Sequence, residues 1–460
     1  MKKAKTQTRK FGLLMSIAMI IGTVIGSGIF FKADDILIQT DGNVLLGCVA
    51  LLIGALGIIF GGITISEWAK ITDDAGGLIS YAEKAFGKFF AFLLGWFQGT
   101  VYYPALAAII GFVAANYTIA LFPQLDFNQS GVWIITIVYL ISIYIINIFS
   151  AKLSEIFQTS AMFIKLIPLL LIAICGLLFG DPQVSSSSAI TLPVITASAG
   201  AIVAVAFSYD GWAVAPSICH EIKNSKRNLP LALIISPIII LAVYVSYFVG
   251  ISFLIGPEKI MQMGDFAFSA ATEQLFGAVG QKMMLIAVIV SVLGTTNGLV
   301  IANVRAPYFL ALRKEIPFSK KIAKLNPKFN ISFPSAIISI LLTLLWLLVH
   351  FLSVAVPSII KFEIDISSIP IVIMYVFYTL LYIGVIIRTC KGLIKNKMAG
   401  ILCPILAIVG ATMILYGGLT ASNSIIYLIV SLLILVTGVA LYCLVTFYRV
   451  AAPRNHETSK

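Results

Sequence analysis

The sequence predicts an all-α membrane protein of twelve transmembrane helices, and three observations predict it. Of 460 residues, 60% are hydrophobic and only 11% charged, which excludes an ordinary soluble domain. Charge-free runs long enough to cross about 30 Å of hydrocarbon, at ~20 residues each, recur along the whole chain. Two of those runs are interrupted at their centres, and they open two consecutive blocks of five.

Read in order, the spans are 11–37, 44–68, 88–121, 132–149, 155–178, 197–218, 230–255, 277–312, 333–351, 367–388, 399–419 and 424–448. The last two share the uncharged run 398–448 and are separated by the turn-like GGLTASNS (417–424). Span 1 follows a basic start and resembles a signal peptide superficially. It is longer than a signal core, lacks a small-residue cleavage site and carries a glycine break, so it is expected to be retained.

The net charge of +12 reports topology rather than nucleic-acid binding. With the N-terminus inside, 25 of the 31 Lys/Arg fall on cytoplasmic segments. Four fall outside (Lys32, Lys259, Lys282, Lys361) and two lie within spans (Lys165, Arg305). That asymmetry predicts both termini in the cytoplasm of a multi-pass plasma-membrane protein, with lipid as its surroundings. No soluble domain is expected. The expected organisation is a cytoplasmic segment 1–10, a five-helix repeat 11–178, a second repeat 197–388, helices 11 and 12 in 399–448, and a cytoplasmic tail 449–460. Five is odd, so the second repeat starts from the opposite face and is inverted.

The interruptions locate the candidate site. In FGLLMSIAMIIGTVIGSGIFF (11–31), Gly22, Gly26 and Gly28 surround the centre. In AGAIVAVAFSYDGWAVAPSIC (199–219), Ser208, Asp210 and Gly211 do. A membrane helix must satisfy its own peptide groups, because hydrocarbon offers no partner. A break is tolerated where protein or a polar ligand receives them, and paired breaks point to a transporter's binding site. Span 1 is expected to end its first half near Val24 and restart near Ser27. Span 6 is expected to end its first half near Phe207 and restart near Gly211. Half-helix N-termini attract anions and C-termini attract cations, each contact contributing roughly 0.3–2 kcal/mol. A free α-amino acid carries both charges a few ångströms apart. The expected substrate contacts are therefore Thr23, Val24, Ile25, Gly26, Ser27, Gly28 and Ile29 from the first break. From the second they are Phe207, Ser208, Tyr209, Asp210 and Gly211. Gly26 and Gly28 are expected to let the backbone approach a carboxylate and adopt positive φ. The competing explanation is a small-residue packing seam between helices.

At these residues the chain resembles the amino acid–polyamine–organocation (APC) superfamily. It is similar to the L-type amino acid transporters and the bacterial serine/threonine-exchanger-like permeases. The segments that carry the resemblance are IGTVIGSGIF (21–30), FSYDGW (207–212), HEIKNSKRNLPLAL (220–233), NGLVIANVRAPYFLALRKEIP (297–317) and PALAA (104–108). Ser225 stands where the family usually has Pro, and His220 where an acidic residue is common. The resemblance implies a LeuT-type 5+5 inverted repeat with discontinuous helices 1 and 6, working by alternating access. It implies Phe207 as an outer gate over the substrate, and a helix 5 lysine in place of the sodium ion of sodium-coupled relatives. L-type members often pair with a heavy subunit through a disulfide. The predicted outer loop 122–131 has no cysteine, so none is expected here, and a monomer is compatible with this reading.

Lys165 lies about ten residues, roughly 15 Å, inside span 5, too deep to snorkel comfortably. An intramembrane ionisable group is a functional candidate by default. Either Lys165 stays charged as a tether, giving exchange, or it releases its proton during the cycle, giving symport. Thr295 and Thr296 leave room for a sodium ion instead, which the lysine would repel. Asp210 is read as an N-cap of the restarted helix or as a partner for a cationic group. Tyr244, Asn297 and Arg305 are coupling or gating candidates, weighed against packing, interhelical hydrogen bonding and snorkelling. Tyr103 and Asn303 are read in the same way.

The six cysteines show no CxxC or Cys/His spacing, no span holds a catalytic set of carboxylates or histidines, and no GxxxxGK[ST] occurs. The expectation is therefore no enzyme, no metal and no cofactor. The expected function is a secondary carrier of neutral L-amino acids, as exchanger or proton symporter. The alternatives are an amino acid sensor subunit on the same fold, or a carrier of cationic amino acids or polyamines.

Overall fold

The computed structural model describes residues 9–122, 129–182, 201, 205, 208–355, 368–420 and 424–451, and among these the chain is all-helical without a named strand. Ten helices among the described residues are long and apolar enough to cross a membrane: Val44–Ile71, Lys88–Leu121, Ser130–Phe149, Ala151–Phe179, Ser225–Ile255, Ala267–Leu312, Phe333–Val354, Pro370–Cys390, Met398–Tyr416 and Leu428–Phe447. Leu13–Val24 is apolar but too short to qualify by itself. The two expected spans absent from the ten are the interrupted ones. Span 1 is divided into Leu13–Val24, Ser27–Phe31 and Ala33–Gln39. Much of span 6, including residues 202–204 and 206–207, lies outside the described residues.

Several helices begin earlier than the hydrophobic runs suggest. Ala151, Ser225 and Ala267 open helices expected at 155, 230 and 277. The added turns (AKLS, SKRNL) are polar or charged, so hydropathy alone truncates them. Gly277 sits inside the third at φ +66, where the helix kinks. A short amphipathic helix, Leu78–Phe86, was not among the expected elements, because LISYAEKAF is too short for a span and is interrupted by Glu83 and Lys84.

Ala267–Asn303 is the hub and packs against Tyr103–Leu121, Ala151–Phe179 and Leu13–Val24. Ser225–Ile255 packs on Val44–Ile71 and Ala151–Phe179. Where it crosses Ala151–Phe179, Gly176 and Gly250 remove the side chains, and a Cβ on Gly176 would lie 2.1 Å from the Gly250 carbonyl. Dispersion between closely approached backbones replaces the hydrophobic effect that lipid cannot supply. Leu428–Phe447 is only 11% buried in its apolar window against 67% for Ala267–Leu312, so it lies at the periphery.

At one face of the bundle the N-terminal segment joins the loop after the second break. The Glu221 carbonyl accepts the N–H groups of Lys10 (2.8 Å) and Phe11 (3.1 Å), and Lys223 N–H returns to the Phe11 carbonyl at 2.8 Å. Arg313–Glu83 (3.1 Å), Lys84–Asp74 (3.2 Å) and an Arg9–Asp73 contact surround that junction.

Candidate functional site

The first break is two residues wide. Helix Leu13–Val24 ends, Ile25 turns to an extended conformation (φ −73, ψ 92), Gly26 follows at φ −125, ψ −140, and Ser27 restarts the helix. The carbonyls thereby released are met from neighbouring helices. The Lys165 ammonium, completely buried, donates to the carbonyls of Gly22 (2.7 Å) and Ile25. The Thr295 hydroxyl lies 3.2 Å from the Gly22 carbonyl, 3.3 Å from that of Ile25 and 3.4 Å from the Lys165 ammonium. A C-terminal half-helix end carries partial negative charge, so a cation is its natural partner.

The second break runs through Tyr209–Gly211. Tyr209 still donates its N–H to Val205, Gly211 takes the left-handed conformation (φ +92), and a 3-10 helix Trp212–Glu221 follows. Glycine is required at 211, since a Cβ would add left-handed strain and lie 2.8 Å from Thr23 Cγ2. The residue directly before the 3-10 helix is Gly211, which has no side chain to cap it. The Asp210 Oδ2 accepts the Tyr102 hydroxyl at 2.8 Å, and Oδ1 is buried with no hydrogen-bond partner among the described residues.

Tyr244 joins the breaks. Its hydroxyl lies 3.2 Å from the Val24 carbonyl and 2.9 Å from that of Ser208. Between the breaks is a narrow cavity lined by Thr23, Val24, Gly26, Gly28, Asp210 and Gly211, and closed by Leu106, Ile110, Thr295, Leu299 and Ile371. Of the expected contacts, the side chains of Ile25, Ile29 and Tyr209 are buried away from it; Tyr209 reaches the Leu51 carbonyl at 3.2 Å. Ser208 abuts Gly28, where a Cβ would come 2.9 Å from its Cα. Ser27 contributes the first helical position after the gap. Phe207, and with it the outer-gate expectation, lies outside the described residues.

Gly26 and Gly28 correct one expectation. Neither has positive φ, and a Cβ on Gly26 would meet Thr295 Oγ1 at 2.8 Å. They permit close helix approach, so the packing-seam explanation holds for them even as both line the cavity.

Asn297 does not reach the cavity. It belongs to a buried ladder in which Asn147 donates to Asn297 (2.8 Å), Asn297 to Gln158 (2.7 Å), and Gln158 to the Ala18 carbonyl (3.2 Å). Asn303 likewise donates to the Tyr144 hydroxyl at 2.8 Å. Arg305 does not snorkel: it is buried and pairs with Glu221 at 2.5 Å, while also donating to the Ile301 carbonyl at 2.6 Å. Tyr103 lines a second small cavity with Gln98 and Ser217.

Tyr102 was missed from sequence, although a signal exists. Pro104 has no N–H to give the carbonyl of Thr100. That carbonyl instead receives the Trp346 indole N–H at 2.7 Å, and Gln98–Tyr102 winds as a π-turn, a feature frequent at functional sites. The turn brings Tyr102 against Asp210.

Fold and site together define the class: a multi-pass membrane protein whose interior cavity is bounded by two interrupted helices. The family follows from comparison with known proteins. The amino acid permease family model matches residues 11–440, and the chain belongs to that family. It is 30% identical to the serine/threonine exchanger SteT of Bacillus subtilis (strain 168) over 411 residues, covering 88% of this chain and 90% of that one. It is 26% identical to the human cystine/glutamate transporter over 365 residues (75% and 71%). It is also 26% identical to the human large neutral amino acids transporter small subunit 2 over 347 residues (74% and 64%). These relatives are transporters, not enzymes, and this chain is an amino acid transporter of the same family.

Proposed function

We propose that the chain is a secondary active carrier of neutral L-amino acids that works in the cell membrane by alternating access, as exchanger or proton symporter. The observation that carries this is the cavity walled by both breaks, with Thr23, Val24, Gly26 and Gly28 on one side and Asp210 and Gly211 on the other. In this reading the helix beginning at Ser27 receives the substrate carboxylate through its free N–H groups. The ammonium faces the carbonyls and carboxylate of the second break. Lys165 fills the place a sodium ion would take, which favours sodium-independent transport. The name of the Bacillus subtilis relative supports small hydroxylated cargo such as serine or threonine.

The reading includes twelve spans arranged as a LeuT-type 5+5 inverted repeat (11–178 and 197–388), supported by the break positions and family membership. Both termini are cytoplasmic, supported by the distribution of basic residues. The working unit is a single chain without a disulfide-linked heavy subunit. Cargo with a basic side chain is a second reading, favoured by Asp210 Oδ1, which has no hydrogen-bond partner among the described residues.

Purified protein in liposomes tests this. Labelled serine should accumulate when unlabelled amino acid is inside (exchange), or into empty vesicles under an inward proton gradient (symport), in both cases without sodium. No saturable uptake in either condition would sink the carrier reading, and a strict sodium requirement would sink the role given to Lys165.

A further inference from the structure

We propose that the groove beneath the segment Ile316–Ile322 is a binding site for one anionic phospholipid of the cytoplasmic leaflet, with an acyl chain in the groove and the phosphate on the lysines at its mouth. The groove is walled by Trp96, Leu310, Pro317, Ile338, Leu342 and Leu441, which come from four separate helices and a loop. The polar groups of its wall are already used. Thr100 donates its hydroxyl to the Trp96 carbonyl at 2.7 Å, and the Trp96 indole N–H goes to the Ile434 carbonyl at 3.2 Å. A hydrocarbon chain fits such a surface, whereas a polar ligand would find no donor or acceptor.

The depth fits one leaflet. Trp96 lies eight residues beyond Lys88 and Leu342 nine beyond Phe333, about 12–14 Å at 1.5 Å per residue. Half of a hydrocarbon core is about 15 Å. At the mouth, Phe318 is held in the left-handed conformation (φ +54) with its ring 76% exposed, beside Ile322, which is buried against the groove. A bulky residue in that conformation is a strained arrangement, and here it leaves an aromatic ring outside the protein at the level where a bilayer surface would lie. Lys314, Lys320, Lys321 and Lys324 flank it. All four are exposed, and none has a carboxylate partner among the described residues. Basic pockets between membrane helices on the cytoplasmic side are suited to anionic headgroups. A neutral lipid or a partner helix would leave these charges unanswered.

The test is lipid retention, which is independent of transport. The full-length protein is placed in nanodiscs of phosphatidylcholine with a rising fraction of phosphatidylglycerol, and retained lipid is counted by native mass spectrometry. Wild type should retain phosphatidylglycerol in preference to phosphatidylcholine. Lys320→Gln/Lys321→Gln should weaken that retention by about fivefold per lysine and leave phosphatidylcholine unaffected. Leu342→Trp, or Leu441→Trp from the peripheral helix, should displace both lipids by filling the groove. Equal retention of the two lipids by wild type overturns the proposal, as does undiminished phosphatidylglycerol retention in the lysine variant. Undiminished retention in a folded tryptophan variant overturns the seat of the acyl chain.

Discussion

The two breaks are answered in opposite ways. At the first, the exposed carbonyls of Gly22 and Ile25 are met by a buried ammonium and a hydroxyl, all supplied by the protein. At the second, the Asp210 carboxylate accepts from the neutral Tyr102 phenol, and its other oxygen has no hydrogen-bond partner among the described residues. A buried polar atom without a partner costs about 1–3 kcal/mol, and more if charged. The carbonyl side of the first gap is therefore met by the protein itself, while the second retains capacity for something that arrives from outside. Interrupting a membrane helix exposes peptide groups but does not by itself say who will meet them.

Five substitutions break or sharpen this contrast. The largest effect is expected from Lys165→Ala, which strips two buried carbonyls of their cation. About 2–5 kcal/mol of stability and essentially all uptake should be lost, read by thermal unfolding in detergent and labelled uptake in liposomes. Wild-type uptake with unchanged pH dependence would show that the first gap does not need its cation. Asp210→Asn should leave the melting temperature nearly unchanged, because the amide oxygen still accepts from Tyr102. Substrate KM should rise roughly 10–100-fold, the worth of one hydrogen bond to a charged group; an unchanged KM would mean that cargo never meets the second break. Gly211→Ala should cost about 1–2 kcal/mol of strain, and more transport than Gly26→Ala, whose φ is already negative, so that its added methyl has only the Thr295 side chain to displace. Equal losses would erase the distinction between the gaps as backbone structures. The smallest effect belongs to Tyr244→Phe, which removes a hydroxyl that touches both gaps. A change of about 1 kcal/mol in stability and a few-fold in uptake rate is expected. Loss as severe as for Lys165→Ala would make the link, rather than the cation, the chief support of the first break.

The ends of the interrupted helix were legible in the sequence because glycines inside an apolar run are costly to keep. Lys165 was legible because a charge has few tolerable places in hydrocarbon. Its partners were not. Carbonyls carry no residue identity, so the pairing with Gly22 and Ile25 emerges only when helices are assembled. Asn297 illustrates the converse. Its polarity was visible, but its role depends on Asn147 and Gln158, which come from two other helices and gave no distinct signal of their own. Helix starts at Ala151 and Ser225 were placed late because hydropathy follows the bilayer, whereas a helix continues into water for as long as its peptide groups find partners. Tyr102 was hidden because its position depends on a proline two residues away and on a tryptophan donor that reaches Thr100 from 246 residues further along the sequence.

The junction at Glu221 has a mechanical corollary. One residue there accepts two peptide N–H groups from the chain's start and pairs its carboxylate with Arg305. Four contacts thus converge on a single knot at the far end of the 3-10 helix that follows the second gap, once the returning Lys223 N–H is included. On the orientation proposed above, unloading cargo inward requires that knot to slacken. Its strands would unzip together rather than one by one, which makes release an all-or-none event whose pace slows sharply on cooling. A reporter fused to the amino end would tug on the same knot, so labels intended to watch the cycle without altering it belong at the carboxyl end.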